Sequence, residues 1–342
     1  MAVRSRAAAT VAPMRAPSST TDAVRLRSLD ELAAAIPHLL GFHPRDSVVA
    51  VALRRDSGRL GLTLRLDLGD PDGDVRLARE IASRMTRAGA DAVLLAVYCD
   101  RPYDGVEFAR ERLVDLVEMS LPMPLLDAVL VVGDRCWSYL CVDARCCPDA
   151  GRVVRTDSAG ALAVAAAGAL NGDVVMPDRA ALLATVAPVT GDAAASMTQA
   201  LARARRGRAG DPTVLRRVDL LCRRYDDPPV TLTFDEAARV TVAMHRVPVR
   251  DVLLHRLAAG DGPVEQLVRD VARLAQPPHD APIASVLAAA AYLRGDGVVA
   301  AAALERALAS DPDYSLALLL SHCLQAQLEP AALRAGWLEE AE

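Results

Sequence analysis

The sequence predicts an α/β fold: a mixed sheet in the first half, followed by an all-helical second half. Three observations predict it. Apolar runs of strand length alternate with helix-period segments up to about residue 158, one hairpin carries a strict leucine alternation, and beyond that point strand signals nearly vanish while Ala, Leu and Arg recur in helical rhythm. The expected order is an N-terminal helix, then ββαβαββ, then helices that include one tetratricopeptide-like pair. Residues 1–22 are expected to form a disordered tail, 23–158 a mixed α/β domain and 159–342 a helical domain.

The tail carries Arg4, Arg6 and Arg15 with no acid before Asp22, and lacks the apolar centre of an export signal. Ser28 and Glu31 have capping-box spacing, and Leu32, Ile36, Leu39 and Leu40 follow at helical intervals, so a helix is expected from about 29 to 40. Gly41 suits the left-handed residue that ends it, with Phe42 as its apolar contact. Val48 to Leu53 is continuously apolar, Asp56-Ser57-Gly58 supplies a turn, and Leu60, Leu62, Leu64, Leu66 and Leu68 then alternate with more polar residues. The other face of this hairpin carries Arg65 and Asp67, which either meet water or look into a cleft. A helix through Val75, Ala78, Ile81, Ala82 and Met85 closes near Gly89 and leads to a buried-type strand, Ala92 to Tyr98. A second helix aligns Val106, Ala109, Leu113, Leu116 and Val117, and strands follow at Ala128 to Val132 and Arg135 to Cys141. In the helical half, Leu287, Gly295, Ala300, Leu304, Ala307 and Pro312 have the spacing of one tetratricopeptide-type helix pair.

Composition sets limits on function. A chain of 342 residues, 52% apolar, can bury a large core, and charged residues interrupt every apolar run before the ~20 residues of a membrane span. No lysine occurs, so all 39 basic charges are arginine. That excludes a P-loop lysine, a Schiff-base lysine and a kinase lysine. It also fits a GC-rich genome. The 7 cysteines, an odd number without an export signal, are expected to be reduced in a cytoplasmic protein. A net charge of −5 argues against a surface that embraces nucleic acid. The sequence contains no His-Glu-x-x-His, Gly-x-Gly-x-x-Gly or Gly-x-Ser-x-Gly.

The candidate site begins at Gly41-Phe42-His43-Pro44-Arg45-Asp46-Ser47, where an imidazole, a carboxylate and a hydroxyl crowd one turn. A working triad needs convergence in space, so the plainer expectation is that Asp46 or Ser47 bonds turn backbone and His43 a helix-end carbonyl. The sharper one is ligand binding by His43, Arg45, Asp46 and Ser47 together with Arg65, Asp67, Trp137 and Tyr139. Trp137 and Tyr139 share a strand face and either pack in the core or stack a ring. Cys136, Cys141, Cys146 and Cys147 have the spacing Cys-x4-Cys-x4-Cys-Cys, unlike the paired knuckles of structural zinc. Strand alternation sets Cys136 apart, so at most three thiols share a side. Cys141, Cys146 and Cys147 are read as thiol candidates, structural or redox-sensitive, with zinc or an iron–sulfur centre as the alternative; no metal and no cofactor are expected. Arginines 203, 205, 206, 208, 216, 217, 223 and 224 form the strongest basic cluster, either a phosphate-tracking surface or a solvated face, and without aromatic interleaving nucleic acid is the lesser reading.

Gly41-Phe42-His43-Pro44 with Asp46-Ser47, Arg65-Leu66-Asp67-Leu68, and Trp137-Ser138-Tyr139-Leu140-Cys141 with Cys146-Cys147-Pro148 together resemble the actinobacterial family called domain of unknown function 4192. Gly295-Asp296-Gly297 through Ala307 and Asp311-Pro312 resemble its C-terminal end. The likeness spans about residues 24–330. Relatives often carry two tryptophans where this chain has Cys136-Trp137. The resemblance implies no activity, so the expectation is a cytosolic ligand-binding or regulatory protein taking a small anionic ligand, or a protein partner on its helical half. The competing readings are an enzyme using His43 as acid or base with a nearby thiol, and a nucleic-acid-associated protein acting through the Arg203 to Arg224 segment.

Overall fold

The computed structural model describes residues 28–54, 59–104, 107–141, 143–170, 174–207, 209–226 and 230–339. The expected tail, the Asp56-Ser57-Gly58 turn, Val106 and Arg208 lie outside the described residues. Two compact units divide the chain between Arg179 and Ala180. That point lies beyond residue 158, where strand signals fade, because α4 (Ala159–Leu170) packs on α1 (Leu29–Leu40) within the first unit.

In the first unit α1 leads into β1 (Ser47–Arg54) and β2 (Arg59–Asp67). Then come α2 (Asp74–Arg87), β3 (Ala92–Tyr98), a small hairpin of β4 (Tyr103–Asp104) and β5 (Glu107–Phe108), and α3 (Glu111–Ser120). β6 (Leu125–Val132), β7 (Arg135–Ser138) and β8 (Arg152–Val153) complete a six-stranded sheet ordered β2-β1-β3-β6-β7-β8. β3 and β6 run parallel, and the other pairs are antiparallel. The sheet is therefore mixed, as the alternation of apolar runs and helices requires.

Burial explains the strand order. β1 and β3 are apolar and buried on both faces, so they occupy the middle, whereas alternating β2 takes an edge. Val48, Ala50, Val93, Leu95, Val97, Ala128, Leu130 and Trp137 share one core with Ala78, Ile81 and Met85 of α2 and Leu113, Val114 and Val117 of α3. Each such Leu, Ile, Val or Met contributes roughly 1.5–3 kcal/mol. Residues of opposite parity face α1, to which Tyr98 donates a hydrogen bond at the Ala33 carbonyl (3.4 Å).

Several local expectations change. Ser28 adopts the extended N-cap conformation, but its side chain makes no capping bond, so the capping box does not form; its carbonyl accepts from Leu32 N–H instead. Gly41 is left-handed (φ 76°) and Phe42 buried, as the helix stop requires. Val75 points outward, and α2 begins at Asp74, whose carboxylate takes an inward ion pair. β7 ends at Ser138 rather than Cys141 because the Ser138 hydroxyl accepts from Leu140 N–H (3.1 Å) and Cys141 N–H (3.0 Å), drawing the chain off the ladder.

The described residues of the second unit form helices and no strand. α5 (Arg179–Val186), α6 (Gly191–Ala204), α7 (Asp211–Cys222), α8 (Phe234–Ala243), α9 (Val247–Ala258), α10 (Gly262–Leu274), α11 (Ala281–Leu293), α12 (Gly297–Ser310), α13 (Ser315–Gln325) and α14 (Pro330–Glu339) follow in order. Every residue of α11 is buried, and its alanines let α12 return antiparallel beside it after Gly295 (φ 83°). The stretch 179–204 has the apolar composition of a membrane span, yet residues 187–190 break it into helices of 8 and 14 residues. Neither reaches the ~20 residues a span requires.

One guanidinium closes this unit. Arg306 of α12 donates to the Asp280 carboxylate (2.8 Å) and to the carbonyls of Val186 (2.9 Å), Ala272 (2.8 Å) and Ala275 (2.9 Å). Asp280 is fully buried and also accepts from the Ser310 hydroxyl (2.6 Å). The bonded carbonyls lie at the ends of α5 and α10, where a cation also meets the negative end of the helix dipole.

Candidate functional site

The turn 41–47 is held from three sides. His43 N–H donates to the Met176 carbonyl (3.1 Å) and Met176 N–H to the Gly41 carbonyl (2.8 Å). Asp46 takes a positive φ (42°), and its carbonyl accepts from Leu68 N–H (2.8 Å) beyond β2. Ser47 is fully buried; its hydroxyl donates to the Arg45 carbonyl and accepts from Arg65 Nε (2.8 Å). Arg65 also pairs with Asp67 (2.6 Å) and reaches the Arg45 carbonyl (3.4 Å). Ser47, Arg65, Asp67 and the Arg45 backbone thus meet, while the side chains of His43, Arg45 and Asp46 are exposed. His38, one turn of helix earlier, is lowered first by burial and then by the His43 charge.

Register places this turn beside the end of β3, with Ser47 opposite Tyr98. The next residue, Cys99, is pushed up to about 11 by burial, against the cation of Arg110 and with a further raising effect from Asp46. Arg110 itself is left-handed (φ 63°), pairs with buried Asp74 (2.8 Å) and donates to the Gly69 carbonyl. Burial raises Asp74, and Arg110 opposes it. Asp74, Cys99 and Arg110 escape sequence reasoning, since no spacing links three residues on separate connections.

Trp137 and Tyr139 come from a different strand and its continuation, and of the two Tyr139 has Cys99 and Arg110 as neighbours. β3 and β6 stand between β1 and β7, so three strand spacings, roughly 14 Å, separate the two backbones. Trp137 is buried, with Nε1 donating to the Asp149 carbonyl (3.0 Å). Its ring leaves no room for a side chain at Gly151, where a Cβ would stand 2.5 Å from Cε2. The Tyr139 hydroxyl donates to the Ala109 carbonyl (2.6 Å), and its ring meets Phe108 edge-on with centroids 5.9 Å apart. Both polar tips are therefore satisfied within the first unit's core.

The thiols converge. Cys136 lies on the α1 side beside Asp30 and Arg152, its thiol raised to about 11 by burial first and then by Asp30. Cys141, Cys146 and Cys147 form a separate group whose sulfurs all lie within 4.8 Å of one another. Cys147 is pushed up to about 12, first by burial and then by hydrogen bonds and charge from its two neighbours. Arg152 extends one nitrogen to buried Asp30 (2.6 Å) and another to Cys146 Sγ (3.9 Å).

In the helical unit three of the seven described arginines of the basic cluster are engaged, while Arg206, Arg216, Arg217 and Arg223 stand exposed. Arg203 pairs with Asp235 (2.7 Å), Arg224 with Glu236 (2.8 Å), and Arg205 contacts His279 (3.1 Å). A nearby cleft of about 320 Å³ is lined by Asp219, Cys222, Arg223, Asp226, Arg256, Asp261 and Pro263. Asp219 and Asp261 neutralise Arg256 there.

No curated protein and no solved structure matches this chain. A family model does match, over residues 30–331, a range that includes the 41–47 turn, the thiol group and most of the helical unit. On that match the chain belongs to the family described as Domain of unknown function (DUF4192).

Proposed function

We propose that the protein is a cytoplasmic ligand-binding regulatory protein that receives a small anion on the exposed side of the 43–47 turn. The observation that carries this reading is the pairing of a rigid backbone with an outward guanidinium and an outward imidazole. His43 and Arg45 project from a turn fixed by Met176, Leu68 and Arg65. The turn lies at the sheet edge where parallel β3 and β6 end, the edge at which open α/β sheets bind ligands. The Arg45 guanidinium and the His43 ring N–H there are donors that suit a phosphate or carboxylate.

Binding is favoured over catalysis because the partners His43 would need are already committed. Asp67 pairs with Arg65, and the Ser47 hydroxyl is held between Arg65 and the Arg45 carbonyl. Seven free thiols support a reducing cytoplasm, and an arginine-only, alanine-rich composition supports an actinobacterial source. The antiparallel α11–α12 pair supports a tetratricopeptide-like element through which the helical unit receives a protein partner. Ion pairing of Arg203 and Arg224 disfavours nucleic acid.

A thermal-shift screen of nucleotides and organic acids tests the anion reading. Ligand at about 100 times its dissociation constant adds about 2.7 kcal/mol of stability. The wild type is expected to melt higher with at least one anion, and the H43A/R45A variant to lose that shift. Equal melting of both proteins across the panel refutes the reading.

A further inference from the structure

We propose that Cys141, Cys146 and Cys147 form a three-thiolate site for a soft, thiophilic cation such as Zn²⁺ or Cu⁺, independent of the anion site. The three sulfurs lie within 4.8 Å of one another. Three sulfurs bound about 2.3 Å from a shared ion stand about 4 Å apart, so closing the site takes shifts of under about 1 Å.

The backbone makes this group from a spacing that looks unpromising in sequence. Neighbouring cysteines on an extended chain would point to opposite sides. Here the N–H groups of both Cys146 (2.9 Å) and Cys147 (2.7 Å) donate to the Asp143 carbonyl, curling the chain so that both thiols reach one side. The Asp143 carboxylate clamps the same turn, accepting from Arg145 N–H (3.0 Å), Nε (3.2 Å) and a terminal nitrogen (3.0 Å). Cys141 is brought in by its own N–H bond to the Ser138 hydroxyl (3.0 Å). The three ligands are thus aimed by hydrogen bonds that do not involve the sulfurs.

Charge and access agree. Three thiolates leave a net −1 around Zn²⁺ and −2 around Cu⁺, and the Arg152 guanidinium donates to Cys146 Sγ from outside the ligand set, anchored by Asp30. Cys146 is exposed while Cys141 and Cys147 are half-buried, so an ion has an entry path and a solvent-facing fourth position. The donor set is all sulfur, with no carboxylate or imidazole, which selects soft cations over Mg²⁺ or Ca²⁺. Binding breaks three S–H bonds, forms three metal–sulfur bonds and releases three protons to water, with no change of oxidation state.

The test uses the full chain, reduced with a phosphine and kept free of oxygen. Zn²⁺ and Cu⁺ are titrated separately against chromophoric chelators, and Cd²⁺ is added to read sulfur-to-metal charge transfer. One equivalent is expected, with a charge-transfer band of three-thiolate intensity. Affinity should fall at least tenfold in Cys141→Ser and in Cys146→Ser but not in Cys323→Ser, whose thiol lies in α13. Melting temperatures near wild type for the two site variants establish that they are folded. Tight binding of only one of Zn²⁺ and Cu⁺ supports the site and names its ion. Substoichiometric binding, no charge-transfer band, or site variants that bind like wild type overturn the proposal. So does a chain that binds no ion when reduced yet forms a Cys141–Cys147 disulfide under mild oxidant, which would make the group a redox pair.

Discussion

Replacing Arg306 by Met removes a guanidinium on which much of the helical unit closes while keeping most of the side chain's length. Asp280, fully buried, would then keep only the Ser310 hydroxyl, and the carbonyls of Val186, Ala272 and Ala275 would each lose a donor. Stranding one member of a buried ion pair costs about 3–5 kcal/mol. With a urea slope of about 2 kcal/mol per molar for a unit of this size, the midpoint of the helical transition should fall by about 1.5–2.5 M. Far-UV circular dichroism follows that transition, and Trp337 fluorescence reports it separately from Trp137 in the other unit. A second variant, Arg306→Met with Asp280→Asn, should recover part of the loss because the stranded charge is gone. A fall of less than about 0.5 M in the single variant, or a double variant that loses the sum of both single costs, would refute a coupled hub at this position.

Two further outcomes follow from the first unit. Gly151→Ala places a methyl group 2.5 Å from Trp137 Cε2 at a residue with φ of 73°, and should cost about 2–4 kcal/mol; an unchanged melting temperature and Trp137 emission would contradict the packing. The Asp127 carboxyl is raised above 3.8 by burial, with the Ala128 N–H and the Ser138 hydroxyl opposing that rise. Its folded form therefore binds the proton more readily than the unfolded chain, so its contribution to stability falls as pH climbs from 3.8 through the raised value and is level above it. Asp127→Asn cannot ionise and should gain on the wild type across that window, read as urea midpoints at about pH 3 and about pH 7; a difference that does not change with pH would exclude burial as the cause.

Much of the fold is readable from pattern because burial drives it. The leucine alternation from Leu60 to Leu66 and the apolar run Ala92 to Tyr98 become β2 and β3, and Gly41 ends α1 in the left-handed conformation that position demands. Local chemistry is less transferable. Ser28 and Glu31 have the right spacing for a capping box, yet the Ser28 side chain makes no capping bond, since burial of the apolar face of α1 suffices to hold the helix. The site is legible only in parts. Arg65, Asp67 and Ser47 meet because β1 and β2 are sequence neighbours in a hairpin, whereas the separation of His43 from Trp137 depends on β3 and β6 inserting between them. Likewise, Asp280 and Arg306 share no spacing rule, and the thiol group depends on bonds from Ser138 and the Asp143 carbonyl that a cysteine count does not reveal.

Ser138 has a consequence beyond ending a strand. A single oxygen both terminates the sheet ladder and fixes the amide of the first thiol residue, so slippage of β7 would carry Cys141 away from its two companions. The reactivity of those sulfurs toward a labelling reagent is therefore a gauge of whether the sheet beneath them is correctly assembled.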